Sequence, residues 1–413
     1  EIASAKAYVT GLGYFEFYLN GKKVGEDVLS PNQTNYGKRP DLDKTGIPID
    51  DKFRAYRILY MCYDLKDLLQ PGKNTVGCIL GNGFYNPVVN WTRAYGSPRF
   101  LGQIEITYVD GTTETIVSDE SWQAHRSAIV GDGPYYGEVY DARLEIPAWA
   151  TPACDTRNWQ NVVLRKSPEG ILSAQTALPD RVMERLKPVS IQLNDDGVYE
   201  VDFGEEISGW LKLDNIRGNA GETIEIKYLC ESPNGVNKYT LNGSGSESYA
   251  ARFTWFVFRK VQIKNWRGPL TADNLTAEAV YSNVETTGKF ECSNPLFNQI
   301  NRIWWRSQTD NMHGGVASDC PHRERSAYTG DGQVSCITVM HNFDAAAFYT
   351  KWIQDMQDAQ NTENGYVPNG APWQPGCGGG VPWGAAMNIM PWEFYLHYGD
   401  KDMLERNYVS MKE

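Results

Sequence analysis

Near residue 285 the hydrophobic pattern of this chain changes its period, and that change limits the kinds of layer the fold can contain. Before it, apolar and polar residues alternate in short runs, as in AYVTGLGYFEFYLNGKKVG from Ala7 and GVYEVDFGEEISGWLKLDNIRG from Gly197. A period of two buries one face of a β-strand. After it, in SNPLFNQINRIWWRSQTDNM from Ser293, the residues Leu296, Ile300, Ile303 and Trp304 recur at helical spacing. Ser293 and Asn294 stand where a helix cap belongs, and Pro295 at the first helical position. Strands first and helices last predict separate units with separate cores.

Turn signals subdivide the β half. Asn20-Gly21 reads as a tight hairpin, and Pro71-Gly72, Asp110-Gly111 and Asp132-Gly133 mark further turns between strands such as QIEITYV and TETIVS. A polar, proline-bearing stretch near residues 150–180 reads as a linker or an irregular edge. The expected division is one β-sandwich over residues 1–175, a second over 176–284, and a helical unit over 285–413. In the helical unit, Asp344 is expected to cap a helix whose apolar face is Ala345, Phe348, Trp352 and Met356. A further helix is expected from Pro391 to just before Gly399, and another carries Met403, Leu404 and Met411. A closed ring of twelve helices needs roughly 210 residues. Residues 285–413 fall well short of that, so the helical unit is expected to be the first part of such a ring, cut in mid-pattern at Glu413.

Composition excludes some partners. Asp plus Glu number 51 against 39 Lys plus Arg, a net charge of −12, and no Lys/Arg run exceeds two residues. A nucleic-acid partner therefore has no electrostatic footprint. No stretch of apolar residues is long enough to span a membrane. The cysteines at 62, 78, 154, 230, 292, 320, 336 and 377 form no CxxC pair, which argues against a zinc cluster and a dense disulfide framework. They are expected to be mostly free thiols, and no metal or cofactor is expected. The compartment stays open, with a secreted or periplasmic location favoured over a cytoplasmic one. Aromatics reach 12%, including 13 Trp and 24 Tyr, and flat amphipathic rings suit surfaces that stack against sugars.

The chemistry-bearing stretch is SDCPHRERSAYTGDGQ, residues 318–333, where Asp319, Glu324 and Asp331 lie among His322, Arg323 and Arg325. Two readings stand side by side: a solvated, salt-bridged loop, or three acids lining a pocket. Glycoside cleavage needs a protonated carboxyl to donate to the leaving oxygen and a second carboxylate to activate water or attack the sugar. Crowded carboxylates and nearby rings such as Tyr328 raise a donor's pKa. Arg323 and Arg325 are candidates for holding sugar hydroxyls or pairing with an acid. His322 is a candidate for a sugar contact or for tuning Glu324, against the plainer role of a structural hydrogen-bonder. Trp373 and Trp383 flank the glycine-rich PWQPGCGGGVPW, where they form either a platform for an apolar sugar face or ordinary core. Glu138 and Asp141 in YYGEVYDAR read as structural hydrogen-bonders.

SDCPHRERSAYTGD resembles the DCPQRDERLGWTGD signature of bacterial α-L-rhamnosidases, glycoside hydrolase family 78. GKKVGEDVLSPNQTNYGKR and YDLKDLLQPGKNTVGCILGNGFY resemble that family's amino-terminal sandwich, and GPYYGEVYDARLEIPAW its GE-YDAR box. YEVDFGEEISGWLKL and GETIEIKYLCE are similar to its second sandwich. ETTGKFECSNPLFNQI is similar to the entry into its helical barrel, and GYVPNGAP with PWGAAMNIMPWEFYLHYGD to the continuation. The resemblance implies two β-sandwiches of jelly-roll or concanavalin-like type followed by the first part of an (α/α)6 barrel. It implies inverting hydrolysis of terminal α-L-rhamnose from rhamnose-containing glycans or glycosides. Glu324 would then be the general acid, Asp319 and Asp331 its flanking acids, and Arg323 the signature arginine. The family's base glutamate is expected beyond residue 413, so residues 1–413 alone are expected to be inactive.

Three departures accompany it. HRER is one residue shorter than QRDER, Ala385 stands where relatives carry a Trp-Gly-Asp carboxylate, and the stretch before Phe253 is shortened. They keep two alternatives open: another deoxy or uronic sugar on the same fold, or a non-catalytic carbohydrate-binding homologue.

Overall fold

The computed structural model describes residues 1–40, 52–87, 89, 93–229 and 235–413. The alternating segments form sheets, as their period predicts. Ile2–Leu12 lies between Arg57–Asp64 and Arg99–Tyr108, with Ile171–Ala174 and Thr113–Val117 at the two edges. Tyr14–Leu19 pairs with Val76–Gly81 and with Lys22–Lys23. The two sheets enclose Ala5, Ala7, Val9, Phe15, Phe17 and Ile104. Asn20 and Gly21 both take positive φ, 51° and 79°, which gives the two-residue turn that the right-handed twist of a hairpin prefers.

A longer sheet follows. Tyr199–Ile216 runs antiparallel between Phe256–Lys264 and Leu275–Ser282, over a core of Val201, Leu211, Leu213, Tyr228, Phe258 and Val261. The hairpin Ile129–Gly133 and Gly137–Asp141 joins this sheet through Val236–Thr240, and Asp27–Val28 joins it through Asp180–Leu186. Strands from before residue 175 thus finish the sheet built mainly after it. The seven described cysteines are free, and Cys230 lies outside the described residues.

Helices make up the remainder: α1 (Pro295–Asn311), α2 (Thr329–Asn342), α3 (Ala346–Ala359), the short α4 (Val381–Gly384), α5 (Ala386–Tyr398) and α6 (Lys401–Lys412). The architecture is two β-rich units followed by a helical unit. The Asn294 side chain accepts from Leu296 N at 3.0 Å and caps α1 as expected.

Several helical expectations need correction. Leu296, Ile300 and Ile303 are 53–57% exposed, whereas Arg306, Thr309 and Asp310 on α1 are buried. The polar side is the docked one because the second β unit meets it with charge. Arg306 donates to both oxygens of Glu184 (2.9 and 3.0 Å) and to Glu205 (3.1 Å), and Ser208 N donates to Asp310 (2.9 Å). Asp344 does not cap α3; its backbone N–H pairs instead with Glu285 O. The expected α3 face is buried in full. α5 begins five residues before Pro391, because burying Ala386, Met387, Met390 and Phe394 outweighs the hydrogen bond the proline cannot make.

Between the first β unit and the helices, Asn35 clasps the backbone of Trp373 on both sides. Its Nδ2 donates to Trp373 O (2.8 Å) and its Oδ1 accepts from Trp373 N (2.7 Å). Arg57 adds a two-pronged pair with Asp358 (2.7 and 2.9 Å). Replacing Asn35 with Ala leaves a buried N–H and a buried C=O unpaired. The expected loss is about 1–3 kcal/mol in urea unfolding of the full-length protein. A loss under about 0.5 kcal/mol would show that water satisfies this seam.

Candidate active site

Residues 318–328 join the small hairpin Met312–His313 and Val316–Ala317 to α2. The loop closes on itself, with Arg325 N donating to Cys320 O (3.2 Å) and Asp319 N to Ser326 O (3.3 Å). Arg325 has φ +52°, a conformation costly for a residue with a side chain. Its side chain is what holds it there. Buried to 4% exposure, it donates from Nε to Pro321 O (3.0 Å) and from the guanidinium to Pro134 O, and it lies 4.0 Å over the Trp255 ring. Trp255 also stacks with the His313 ring, 3.9 Å away and nearly parallel at 13°. His313 Nδ1 meets Asp180 Oδ2 at 3.1 Å, and its Nε2 meets Ser208 Oγ at 2.5 Å. Arg325 is thus a buried anchor for the loop. Backbone carbonyls and aromatic rings help compensate its charge.

Asp331 lies in the first turn of α2, where the helix dipole favours a negative charge. Trp383 donates from Nε1 to Asp331 Oδ2 at 3.1 Å. Gly330 permits this, since a Cβ there would stand 2.6 Å from the Trp383 ring. Thr329 Oγ1 donates to Trp383 O (2.9 Å) and so ties the same tryptophan to the helix start. Burial, reinforced by the charges of Glu324 and Asp331, raises the Asp319 carboxyl to about 6. Asp319 therefore feels the charges of both other acids. Glu324 is partly exposed, and its Oε2 stands 3.3 Å from Arg323 Nε. That contact is an ion pair without the alignment of a hydrogen bond, and Oε2 is itself enclosed. Asp319 Oδ1 is likewise enclosed with no hydrogen-bond partner among the described residues. Such atoms are where ligand hydroxyls find partners.

The other candidates divide. Arg323 is exposed beside Glu324 and donates from Nε to Cys320 Sγ (3.3 Å); His322 turns Nε2 to the same sulfur at 3.5 Å. Trp383 keeps 37% of its surface exposed next to Asp331. Trp373 is different. It is 6% exposed, packed edge-on against Phe53 and under Arg39, so it belongs to the core and not to a sugar platform. Glu138 accepts from Tyr249 Oη, Arg252 N and Phe253 N, and Asp141 caps a short helical turn, both as structural residues. Tyr135 is a residue that sequence reasoning misses. It donates from Oη to the backbone carbonyl of Glu324 at 2.9 Å across 189 positions. Its one sequence signal is its place in the proline–tyrosine turn of the GPYYGEVYDAR box. Among the described residues, no group of three His, Cys, Asp or Glu side chains is placed to hold a metal ion.

Three family models match consecutive parts of the chain. They are an α-L-rhamnosidase N-terminal domain over residues 1–46 and 49–184, a bacterial α-L-rhamnosidase concanavalin-like domain over 192–281, and a bacterial α-L-rhamnosidase 6 hairpin glycosidase domain over 285–413. The chain belongs to the bacterial α-L-rhamnosidase family. An α-L-rhamnosidase of Formosa agariphila is 32% identical over all of this chain and 45% of its own length. The solved α-L-rhamnosidase of Dictyoglumus thermophilum superposes with a TM-score of 0.90 at 34% identity, over 100% of this chain and 46% of that one. The Streptomyces avermitilis α-L-rhamnosidase complexed with L-rhamnose gives a TM-score of 0.90 at 31% identity, over 99% and 40% respectively. The chain therefore spans less than half the length of these relatives. No described helix is long and apolar enough to cross a membrane.

Two consequences can be measured for this family member. The Asp319 carboxyl, moved up from 3.8 to about 6, favours the native state when protonated and opposes it when ionised. Its contribution to stability is therefore complete below 3.8 and lost as pH rises through about 6. The unfolding free energy of Asp319→Asn should fall less steeply than wild type across that interval in urea titrations at stepped pH. Identical slopes would contradict the burial that causes the shift. Gly330→Ala should push Trp383 off Asp331, costing about 1–3 kcal/mol and shifting the tryptophan emission.

Proposed function

We propose that the full-length protein carrying this chain is an exo-acting glycosidase that removes terminal α-L-rhamnose with inversion, with Glu324 as proton donor. The observation that carries this reading is the acid trio itself. Asp319, Glu324 and Asp331 are within electrostatic reach of one another, and Asp331 is fixed by a half-exposed tryptophan. Membership of the family supports the reaction class.

The roles follow from the environments. Asp319, which keeps its proton up to about pH 6, donates a hydrogen bond to a sugar hydroxyl in its neutral form. Asp331, held by Trp383 Nε1–H, accepts from another hydroxyl. Trp383 offers a flat apolar wall to the deoxy sugar's methyl group. Arg323 and His322 sit at the rim, where the exposed guanidinium yields its place beside Glu324 to the glycosidic oxygen. Glu324 then protonates that oxygen as the bond to the anomeric carbon breaks. The water-activating carboxylate is not assigned within residues 1–413. The division of the chain at residues 175 and 284 is proposed on the same footing, as two sandwiches and a catalytic unit. Rhamnose-containing glycans or glycosides are the proposed partners.

Glu324→Gln removes the donated proton and keeps the side chain's shape. On an aryl α-L-rhamnoside the full-length variant should lose about a hundredfold or more in kcat. Proton NMR of the wild-type reaction should show the inverted anomer first. Wild-type rates in the variant would remove Glu324 from the role. Equal turnover of rhamnoside and other aryl glycosides would reassign the sugar.

A further inference from the structure

Residues 129–141 form a hairpin whose tip reaches out of the β units to touch the acid loop. Its first strand pairs Asp132 with Glu138 and Gly133 with Gly137. Pro134, Tyr135 and Tyr136 make the tip. Both arms are fastened. Asp132 accepts from the backbone N–H (2.7 Å) and the side-chain amide (3.1 Å) of Asn82. Glu138, wholly buried, accepts from Arg252 N at 3.0 Å and Phe253 N at 3.3 Å. Gly137 has φ +103°, and a Cβ there would collide with Val236 O, so the tip lies flush on the neighbouring strand. A turn held this way has little freedom.

This rigid tip touches the loop that bears Glu324 through hydrogen bonds and through the Tyr135 ring, 5.7 Å from the Arg325 guanidinium. Tyr135 Oη donates to the Glu324 carbonyl, and Pro134 O accepts from the Arg325 guanidinium. The first bears on the peptide between residues 324 and 325, and the second holds the Arg325 side chain beyond it. That peptide leads into the left-handed backbone of Arg325, a conformation that persists only where its surroundings over-determine it. A hydrogen bond to its carbonyl fixes the peptide plane, and the plane sets where the Glu324 side chain starts. Displacing a reacting group by about 1 Å can cost about a hundredfold in rate.

We infer that Tyr135, from the β-hairpin, is a positioning residue for the proton donor Glu324. The inference rests on the reading of Glu324 given above. Through it the GPYYGE turn, part of a β unit, aims an acid carried by the helical unit.

The test uses the full-length protein and a series of aryl α-L-rhamnosides running from dinitrophenyl, which leaves without acid help, to methoxyphenyl, which needs it. Tyr135→Phe deletes one hydroxyl. It should lower kcat about tenfold for methoxyphenyl rhamnoside. The dinitrophenyl substrate and both KM values should stay near wild type. Glu324→Gln should show the same leaving-group trend, more steeply. A merely structural role for Tyr135 would lower both substrates alike or shift only the melting temperature. Either result, or no change in kcat, would overturn the positioning role while Glu324→Gln still tests the donor independently. If Glu324→Gln shows no leaving-group dependence, both claims fall. Should Tyr135→Phe not fold, Pro134→Gly, which loosens the same tip and keeps its carbonyl, is read by the same substrate pair and the same outcomes.

Discussion

The buried guanidinium of Arg325 is the constraint on which the rest of the candidate site depends. Its five N–H groups can only donate, and it does not lose its charge at any working pH. Once out of water it needs carbonyls and π-faces, and it finds Pro134 O, Pro321 O and the Trp255 ring. Each partner belongs to a different part of the chain: the hairpin tip, the loop itself, and the second β unit. The loop that holds Asp319 and Glu324 is thereby tied at one point to everything beneath it. The tie matters because the loop crowds like charges. Asp319 holds its proton to about 6 because it is buried and, after that, because Glu324 and Asp331 repel its charge, and opening of the loop would relieve both. Below the indole, the His313–Asp180–Ser208 chain keeps the stack from sliding.

How far the sequence disclosed this fold can be judged from α1. Its existence, its cap at Asn294 and its start at Pro295 are local facts, written in side chains within a turn of one another, and they were legible. Which face turns inward is not local. Leu296, Ile300 and Ile303 make a convincing apolar stripe, yet Arg306 and Asp310 on the opposite side are the residues that dock, because Glu184, Glu205 and Ser208 wait for them in a β unit about a hundred positions away. α2 was hidden for the opposite reason. Gly330 and Gly332 argue against a helix by intrinsic propensity. Both are there because side chains would strike Trp383 and Met390, so close packing of the helix selects the very residues that obscure it.

The site was legible in its chemistry and not in its division of labour. Three acids in thirteen residues are visible in any reading of 318–333. Arg323 and Arg325, two positions apart, are indistinguishable there. One is exposed beside Glu324, and the other is buried at a positive φ, held by contacts that include Pro134, Pro321 and Trp255. Trp373 and Trp383 present the same problem. The clasp by Asn35, 338 positions distant, turns the first into core, while the glycine at 330 leaves the second beside an acid. Long-range partners decide these roles, and a lone sequence gives no pattern for them.

The acids are also held from two sides. Asp331 rides on α2 and is fixed by Trp383, so its place is set by helical packing alone. Asp319 and Glu324 precede that helix and are set by the loop, which is fastened to the hairpin tip and to Trp255 in the β units. The separation of Glu324 from Asp331 is therefore a property of the seam between the helices and the sandwiches. In the proposed reading that spacing sets where a hydroxyl held by Asp331 stands relative to the donor Glu324. The pairs that close the seam, Asn35 with Trp373, Arg57 with Asp358 and Arg306 with Glu184, lie on several sides of it and resist both sliding and opening. The β units thus act on the acids as a rigid mount, and a change in the seam reaches the chemistry without touching a single carboxylate.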